Sequence, residues 1–416
     1  MIKNFILSIS LFLSLVSLAQ EGTSSPYSFY GIGDVRFRGS IENRSMGGIS
    51  IIPDSIHINL QNPAYLSGLK LTTFALAGTF TPTKLKTYTQ KEKSQRTTLD
   101  YLAVGLPSKK FGFGFGLIPY SSVGYKIQSF ATADDPTTKK FNGTGGINKA
   151  FVGVGYQFSK NFSFGADFQY NFGNIETSSI AFIDGVQFGS REKNISEVSG
   201  VNINTGLAYQ SKLNKKLTLF SSLTYSPQSN LNLNNERKIA TVQFLSTGGE
   251  FVVDEEEVVV ADSKLKLPSK LAFGAAIGEV RKWTVGAEIT LQGTSDLGNR
   301  FNDINNATYE NSVRYSLGGY YIPKYSSYTS YLKKVTYRGG FRYENTGLLV
   351  YGQPIKDYAM SLGLGLPLGG TFSNINLGFE LGKRGTTNAG LIEENYANIS
   401  IGISFNDEWF KKRKIN

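Results

Sequence analysis

Large apolar residues alternate with small or polar ones through most of this chain. Phe162, Phe164, Ala166, Phe168, Tyr170 and Phe172 are separated by Ser163, Gly165, Asp167, Gln169, Asn171 and Gly173. The same happens at Trp283, Val285, Ala287, Ile289 and Leu291 against Thr284, Gly286, Glu288, Thr290 and Gln292, at Ile375 to Gly382, and at Ala397 to Asn406. A period of two puts each set on its own face of a strand. A soluble sandwich also alternates. Here, however, the apolar row is nearly unbroken over many strands, and the opposite row is Gly, Ser, Asn and Thr with occasional charges. Lipid on one side and a small-residue or wet interior on the other produce that pattern.

The pattern predicts an all-β fold: a transmembrane antiparallel β-barrel of about 14 strands. The expected strands span 69–83, 95–106, 110–128, 147–158, 161–175, 198–212, 215–228, 264–278, 281–293, 311–322, 334–345, 358–368, 372–383 and 394–406. Their connections alternate in length. Pro107–Lys109, Ser159–Lys160, Leu213–Asn214, Glu279–Val280 and Gly369–Thr371 are short, whereas 129–146, 176–197, 229–263, 294–310 and 346–357 are long. Barrels of this class have short periplasmic turns and long outside loops, and an even strand count returns both termini to the periplasm. The exception is the connection after Pro323, which carries Tyr325, Tyr328 and Tyr331 and is long for a periplasmic turn.

The start of the chain fits export. Lys3, the apolar run Phe5 to Val16 and the small-x-small Ser17-Leu18-Ala19 read as a signal peptide over 1–19, with Gln20 as mature start. No later run approaches the ~20 apolar residues of a transmembrane helix. The expected location is therefore the bacterial outer membrane. The formal net charge of +11 has a place as well. Lys109, Lys110, Lys160, Lys212, Lys215, Lys216, Arg281, Lys282, Lys333 and Lys334 fall at short turns, and Lys411 to Lys414 lie in a tail over 407–416. This reads as a basic periplasmic rim at the lipid headgroups or as ordinary turn solvation. Charges that follow strand ends do not form a nucleic-acid patch. The acidic run Asp254 to Glu257 falls in the longest connection, where it bounds a hairpin outside the membrane, and it reads as a solvated face rather than a metal site. With no Cys and the single His57, no thiolate or His-cluster metal site is expected, and no cofactor is implied.

Residues 20–68 do not alternate. They carry Ser25-Pro26-Tyr27-Ser28-Phe29-Tyr30-Gly31, then Arg44-Ser45-Met46-Gly47-Gly48, then Asn62-Pro63-Ala64. Dense turn residues mixed with aromatics and glycine favour an ordered plug in the lumen before a barrel over 69–406. In these motifs, and in the ending Asn406-Asp407-Glu408-Trp409-Phe410, the chain resembles the FadL-type outer-membrane transporters of hydrophobic compounds, in the divergent form found in bacteria with type 9 secretion. The resemblance spans the mature chain and rests on short motifs. It implies a fourteen-stranded barrel, an N-terminal hatch and a kink in the third strand that opens the wall into the bilayer. In this chain the third strand holds Gly112, Gly114 and Gly116 and then Pro119, and Pro cannot donate to a ladder. Gly116 and Pro119 are thus the candidate kink, unless Pro119 simply sits near a strand end.

The resemblance gives a first functional expectation: passive transport of a fatty-acid-like hydrophobic molecule past the hatch. Phe29, Tyr30 and Met46, with Asn62 and Pro63, are the candidate ligand-binding residues. A second expectation is a non-transporting accessory barrel, partner to an envelope assembly or a type 9 secretion complex. A sealed lumen favours the second, and a continuous apolar tunnel the first. Catalysis is not expected: His57 lies in the hatch and no Gly-x-Ser-x-Gly elbow is present. The inner-row carboxylates Asp167, Glu288, Glu344 and Glu380 are expected to pair with Arg338 and Arg342. An open diffusion pore is disfavoured because porins use ~16–18 strands. Expected partners are outer-membrane lipid, a hydrophobic small molecule, or other envelope and secretion proteins.

Overall fold

The computed structural model describes residues 23–35, 38–133, 135–244, 249–298, 306–369 and 372–409. The expected signal peptide over 1–19 and residues 410–416 of the expected basic tail fall outside these residues. The described chain forms a closed antiparallel barrel of 14 strands. Numbered along the wall, they are β1 Thr72–Lys86, β2 Lys91–Ser108, β3 Phe111–Ser129, β4 Thr137–Gln157, β5 Phe162–Ile183 and β6 Phe188–Lys212. β7 is Thr218–Ser226 continued by Ser229–Phe244, and β8 is Glu250–Val258, Ser263–Leu267 and Lys270–Glu279. β9 Trp283–Gln292, β10 Ser312–Tyr321, β11 Thr336–Val350, β12 Gln353–Pro367, β13 Asn374–Arg384 and β14 Glu393–Asp407 complete the wall. Closure is direct, since β14 pairs with β1 from Glu393↔Lys86 to Asp407↔Thr72.

The alternation read from the sequence is the alternation of the wall. On β5, Phe162, Phe164, Phe168 and Tyr170 face outward, while Gly165, Asp167, Gln169 and Asn171 are buried inside. Such exposed apolar rows recur around the barrel, from Phe111, Phe113 and Phe115 on β3 to Ile399 and Ile401 on β14. They form the lipid-facing belt. At one end of the belt the turns are tight and locally determined. Ser159 Oγ accepts from the backbone N–H groups of Asn161 and Phe162, and Asn214 Oδ1 from those of Lys216 and Leu217. The Tyr-bearing connection after β10 is at this end.

At the other end the structure differs from the expectation of long loops. Most of 137–146, 176–183, 188–197, 229–244 and 250–258 is strand, and the ladders continue past the belt. Apolar burial on these extensions is confined to small clusters such as Ile180, Ala240 and Val242, and charged and polar residues take up much of the rest while backbone pairing persists. That is why a hydrophobic period of two stops short of the true strand ends.

Candidate functional site: an inner segment latched to the barrel wall

Residues 23–68 contact strands around the whole inner surface and so lie in the lumen. The segment holds a 3-10 turn Pro26–Phe29, a two-residue strand Asp34–Val35, the short helix α1 Ile41–Arg44 and a 3-10 helix Pro63–Gly68. Asn62 caps the last of these by accepting from Ala64 N, and its amide also donates to Leu207 O on β6. Asp34 and Val35 pair with Ser122 and Ser121 of β3.

Charge and hydrogen bonding tie this segment to nearly every side of the barrel. Arg38 Nη2 meets Asp357 Oδ2 on β12 at 2.8 Å, and Arg44 Nη2 meets Asp100 Oδ2 on β2 at 2.5 Å. Arg384 of β13 holds Asp34 at 2.6 Å, and Ser25 Oγ donates to Glu394 of β14 at 2.5 Å. On β9, Glu288 Oε2 accepts from both Ser50 N and Ser50 Oγ. Gly47 N donates to Ser361 Oγ of β12. Inner-face glycines let the two surfaces approach closely. A Cβ on Gly165 would overlap the Pro63 carbonyl carbon, and one on Gly340 would overlap the backbone of Met46 and Gly47.

The predicted inner-row charges meet here in part. Arg342, 2% exposed, contacts Glu344 at 3.2 Å, Asp357 at 3.3 Å and Glu380 at 3.4 Å. Arg338 instead donates to Asn376 Oδ1. Asp167 is satisfied by the amides of Gln169 and Asn204, and Glu288 by Ser50. Neutral donors close at hand replace the expected arginines at those two carboxylates. Nothing in the sequence marks Arg38, Asp357 or Asp100, and Arg44 stands out there only as part of the Arg44–Gly48 motif. Asp357 belongs to the inner row Ile355, Asp357, Ala359, Ser361 and Gly363, and a strand start placed at residue 358 hides it.

The predicted ligand residues make these packing contacts. Phe29 meets Tyr30, Tyr125 and Phe141 edge-on, with ring centroids 5.2, 5.1 and 6.3 Å away. Tyr30 packs beside Ala307 and Leu348, Met46 beside Ile49, Ile51 and Phe220, and Pro63 against Gly165. His57 hydrogen-bonds Asp54 through Nδ1 at 2.8 Å, and its Nε2 faces the Asn376 amide at 3.2 Å and Glu42 at 3.7 Å. Desolvation opposes charge on both members of the His57–Asp54 pair. Their mutual attraction prevails, raising the His57 pKa with help from Glu42 and holding Asp54 at about 2.

Two cavities flank α1. One of about 920 Å³ opens toward the tight turns and is lined by Glu42, Asn43, His57, Tyr65, Lys160 and Lys334 among others. The second, about 780 Å³, is lined by Arg38, Arg44, Arg96, Asp100, Arg384 and Glu394 among others. The two share no lining residue. The second lies behind an interruption in the wall. The β2–β3 ladder runs from Ser108↔Phe111 to Leu102↔Leu117 and stops, although both strands continue. The β3–β4 register shifts between Pro119 and Ser121, next to the stop, with Gly116 still paired to Ala103 and Phe151. Thr98, Leu99, Asp100 and Pro119 on either side of this gap line the second cavity.

The BamG family model matches residues 1–416. No curated protein matches the chain in sequence. Several solved structures share its fold. The Pseudomonas putida toluene transporter TodX is 17% identical with a TM-score of 0.59, covering 91% of this chain and 100% of its own. The Ralstonia pickettii toluene transporter TbuX is 13% identical with a TM-score of 0.59, covering 88% of this chain and 98% of its own. A Pseudomonas aeruginosa FadL homologue is 13% identical with a TM-score of 0.56, covering 91% and 98%. This chain is a divergent FadL-like barrel of the outer membrane.

Proposed function

The chain belongs to the BamG family, and on that footing we propose that it is an accessory outer-membrane barrel, a plugged member of an envelope protein assembly rather than a conduit. In this reading 1–19 is a cleaved signal, both termini face the periplasm, and the tight turns with their basic residues lie on the periplasmic side.

The observation that carries the reading is the fastening of the inner segment to the wall on several sides of the lumen. The inner segment is tied to the wall through Arg38, Arg44 and Ser50, and the two cavities on either side of α1 share no lining residue. Removing one partner of a buried ion pair costs about 3–5 kcal/mol, so a segment held by several such contacts is costly to displace.

Transport of a hydrophobic molecule is the second reading. It is favoured by the gap between β2 and β3 and by the similar structures, two of which are toluene transporters. The cavity behind the gap weighs against it, since four arginines and five carboxylates line it. A bare hydrocarbon there would desolvate charge without offering a hydrogen bond in return.

Purification in mild detergent, followed by native mass spectrometry for proteins and small molecules, separates the two. The accessory role is supported by envelope proteins at fixed stoichiometry with the barrel. A lone barrel that retains a hydrophobic ligand would overturn it.

A further inference from the structure

Beyond the lipid-facing belt, one side of the wall continues as a free-standing sheet. The outer part of β7 pairs with β6 from Phe188↔Gln243 to Ser199↔Asn232, and on its other side with Glu250–Val258 of β8. Among the described residues, no strand pairs with the far edge of Glu250–Val258. An open edge presents a row of unpaired N–H and C=O groups, which natural proteins blunt with Pro, Lys or irregularity. This edge has one register shift, between Val252 and Asp254, and neither Pro nor Lys. Phe251 and Val253 on it are 59% and 50% exposed, although they stand outside the membrane belt. Phe251 lies opposite Gln243, whose other neighbour is the exposed Phe188, so two exposed aromatic rings flank Gln243 on one face of the sheet, one of them on the edge.

The charge on the edge has one sign. Asp254, Glu255, Glu256 and Glu257 follow one another, and Arg191 takes only Glu255, at 3.0 Å. Lys238, directly opposite Glu257, turns its ammonium to Glu236 at 2.9 Å. Among the described residues no cation lies within ion-pair distance of Asp254 or Glu256, which alternate onto the same face as Phe251 once the register shift is counted.

We propose that Glu250–Val258 is a docking edge to which a partner protein adds a basic extended segment as a further β-strand. Main-chain hydrogen bonds supply the affinity of such strand addition, and alternate side chains the specificity. Lys or Arg at every second position of the partner would face Asp254 and Glu256, and an apolar residue would cover Phe251. A second copy of this chain does not fit, because edge-to-edge pairing would set one acidic run against another. The inference rests on the accessory role proposed above and names one surface for it.

The test uses the purified full-length barrel in detergent and a fluorescent peptide of about nine alternating Lys and Val residues, matched to the 9-residue edge. Anisotropy should show saturable binding. Binding should weaken about tenfold or more (about 1.4 kcal/mol) in three cases. These are N-methylation of alternate peptide amides, replacement of Lys by Glu in the peptide, and the double variant Asp254→Lys, Glu256→Lys in the barrel. Equal binding of the N-methylated peptide would mean that charge alone acts and would overturn strand addition, as would no binding at all. Heat-modifiable migration in gels verifies that the variant barrel is folded. If its envelope partners still co-purify with the double variant, the accessory role stands and only this edge is excluded from it.

Discussion

Arg38 in the inner segment and Asp357 on β12 form an ion pair at 2.8 Å with the carboxylate 1% exposed, and Arg342 reaches the same carboxylate at 3.3 Å. The two arginines are not equivalent. Arg342 belongs to the wall and keeps Glu344 and Glu380 if Arg38 is lost. Arg38→Ala should therefore loosen the inner segment and leave the barrel folded, at a cost of about 1.5–3 kcal/mol for a lost charged hydrogen bond. Asp357→Ala strips a shared partner from both guanidinium groups and should cost more, about 3–5 kcal/mol. Hydrogen exchange tells them apart. Faster exchange confined to residues 38–48 is expected for Arg38→Ala, and exchange spreading into β11 and β12 for Asp357→Ala. Identical exchange maps would show that Arg38 does not latch the segment.

The glycine seats give a steric prediction. Gly165 and Gly340 face backbone atoms of Pro63 and of Met46–Gly47, which cannot swing aside as a side chain would. Gly165→Ala and Gly340→Ala should each destabilise the protein by about 1–3 kcal/mol through overpacking. Gly185 and Gly369 have no heavy atom within 4 Å of the added methyl, but Gly185 has φ +85°. Gly369→Ala is therefore the control, expected to leave the melting temperature in place. Equal effects at all three sites would mean that the close fit does not contribute to stability.

Much of this barrel is legible in the sequence, and the limits have physical causes. Phe162 to Gly173 declares its two faces because one meets lipid. The continuation from Glu176 to Ile183 buries Ile180 alone among mostly polar or half-exposed neighbours and reads as a loop, although it pairs with β4 throughout and with β6 as far as Ala181. The inner segment is recognisable by what it lacks, a period of two. Its attachments are not recognisable, because Arg38 and Asp357 lie 319 positions apart and nothing local marks them as partners. Phe29, Tyr30 and Pro63 look like ligand contacts since aromatic and turn residues gather there. In the structure these residues pack the inner segment against Tyr125, Ala307 and Gly165.

His57 makes the docking of the inner segment depend on pH. Its pKa is raised above 6.5 because Asp54 and Glu42 outweigh desolvation and the opposing Arg338. The stabilisation from the charged imidazole is thus complete below 6.5 and is lost as pH rises through the raised value. Asp54 works in the opposite direction: its pKa falls from 3.8 to about 2, so its contribution is present above 3.8 and is lost as pH falls toward 2. Stability should be greatest between these limits and decline on the alkaline side. His57→Asn should abolish the alkaline decline. A melting temperature that stays flat from pH 6 to 9 in the unaltered protein would count against the coupling. With a single His in the chain, its imidazole resonance reports the titration directly.

The partition around α1 predicts electrical silence. Glu42 and Asn43 line the cavity toward the tight turns, while Arg44 lines the cavity behind the side gap, so one helical turn separates the two spaces. In a planar bilayer the intact barrel should carry no current above leak. Arg44→Ala alone should change little, because α1 also packs through Ile41 against Tyr101 and Ala103. Replacing Gly39–Gly48 with a flexible linker of equal length removes the Arg44–Asp100 pair and the Gly47–Ser361 hydrogen bond together. That variant should conduct in discrete steps, since the cavities then join across the lumen. If the intact protein already conducts, the inner segment does not seal the barrel and the accessory reading loses its structural support. If the replaced protein stays silent while folded, the seal lies elsewhere, and the cluster in which Phe29 of the inner segment packs against Tyr125 and Phe141 of the wall is the next place to test.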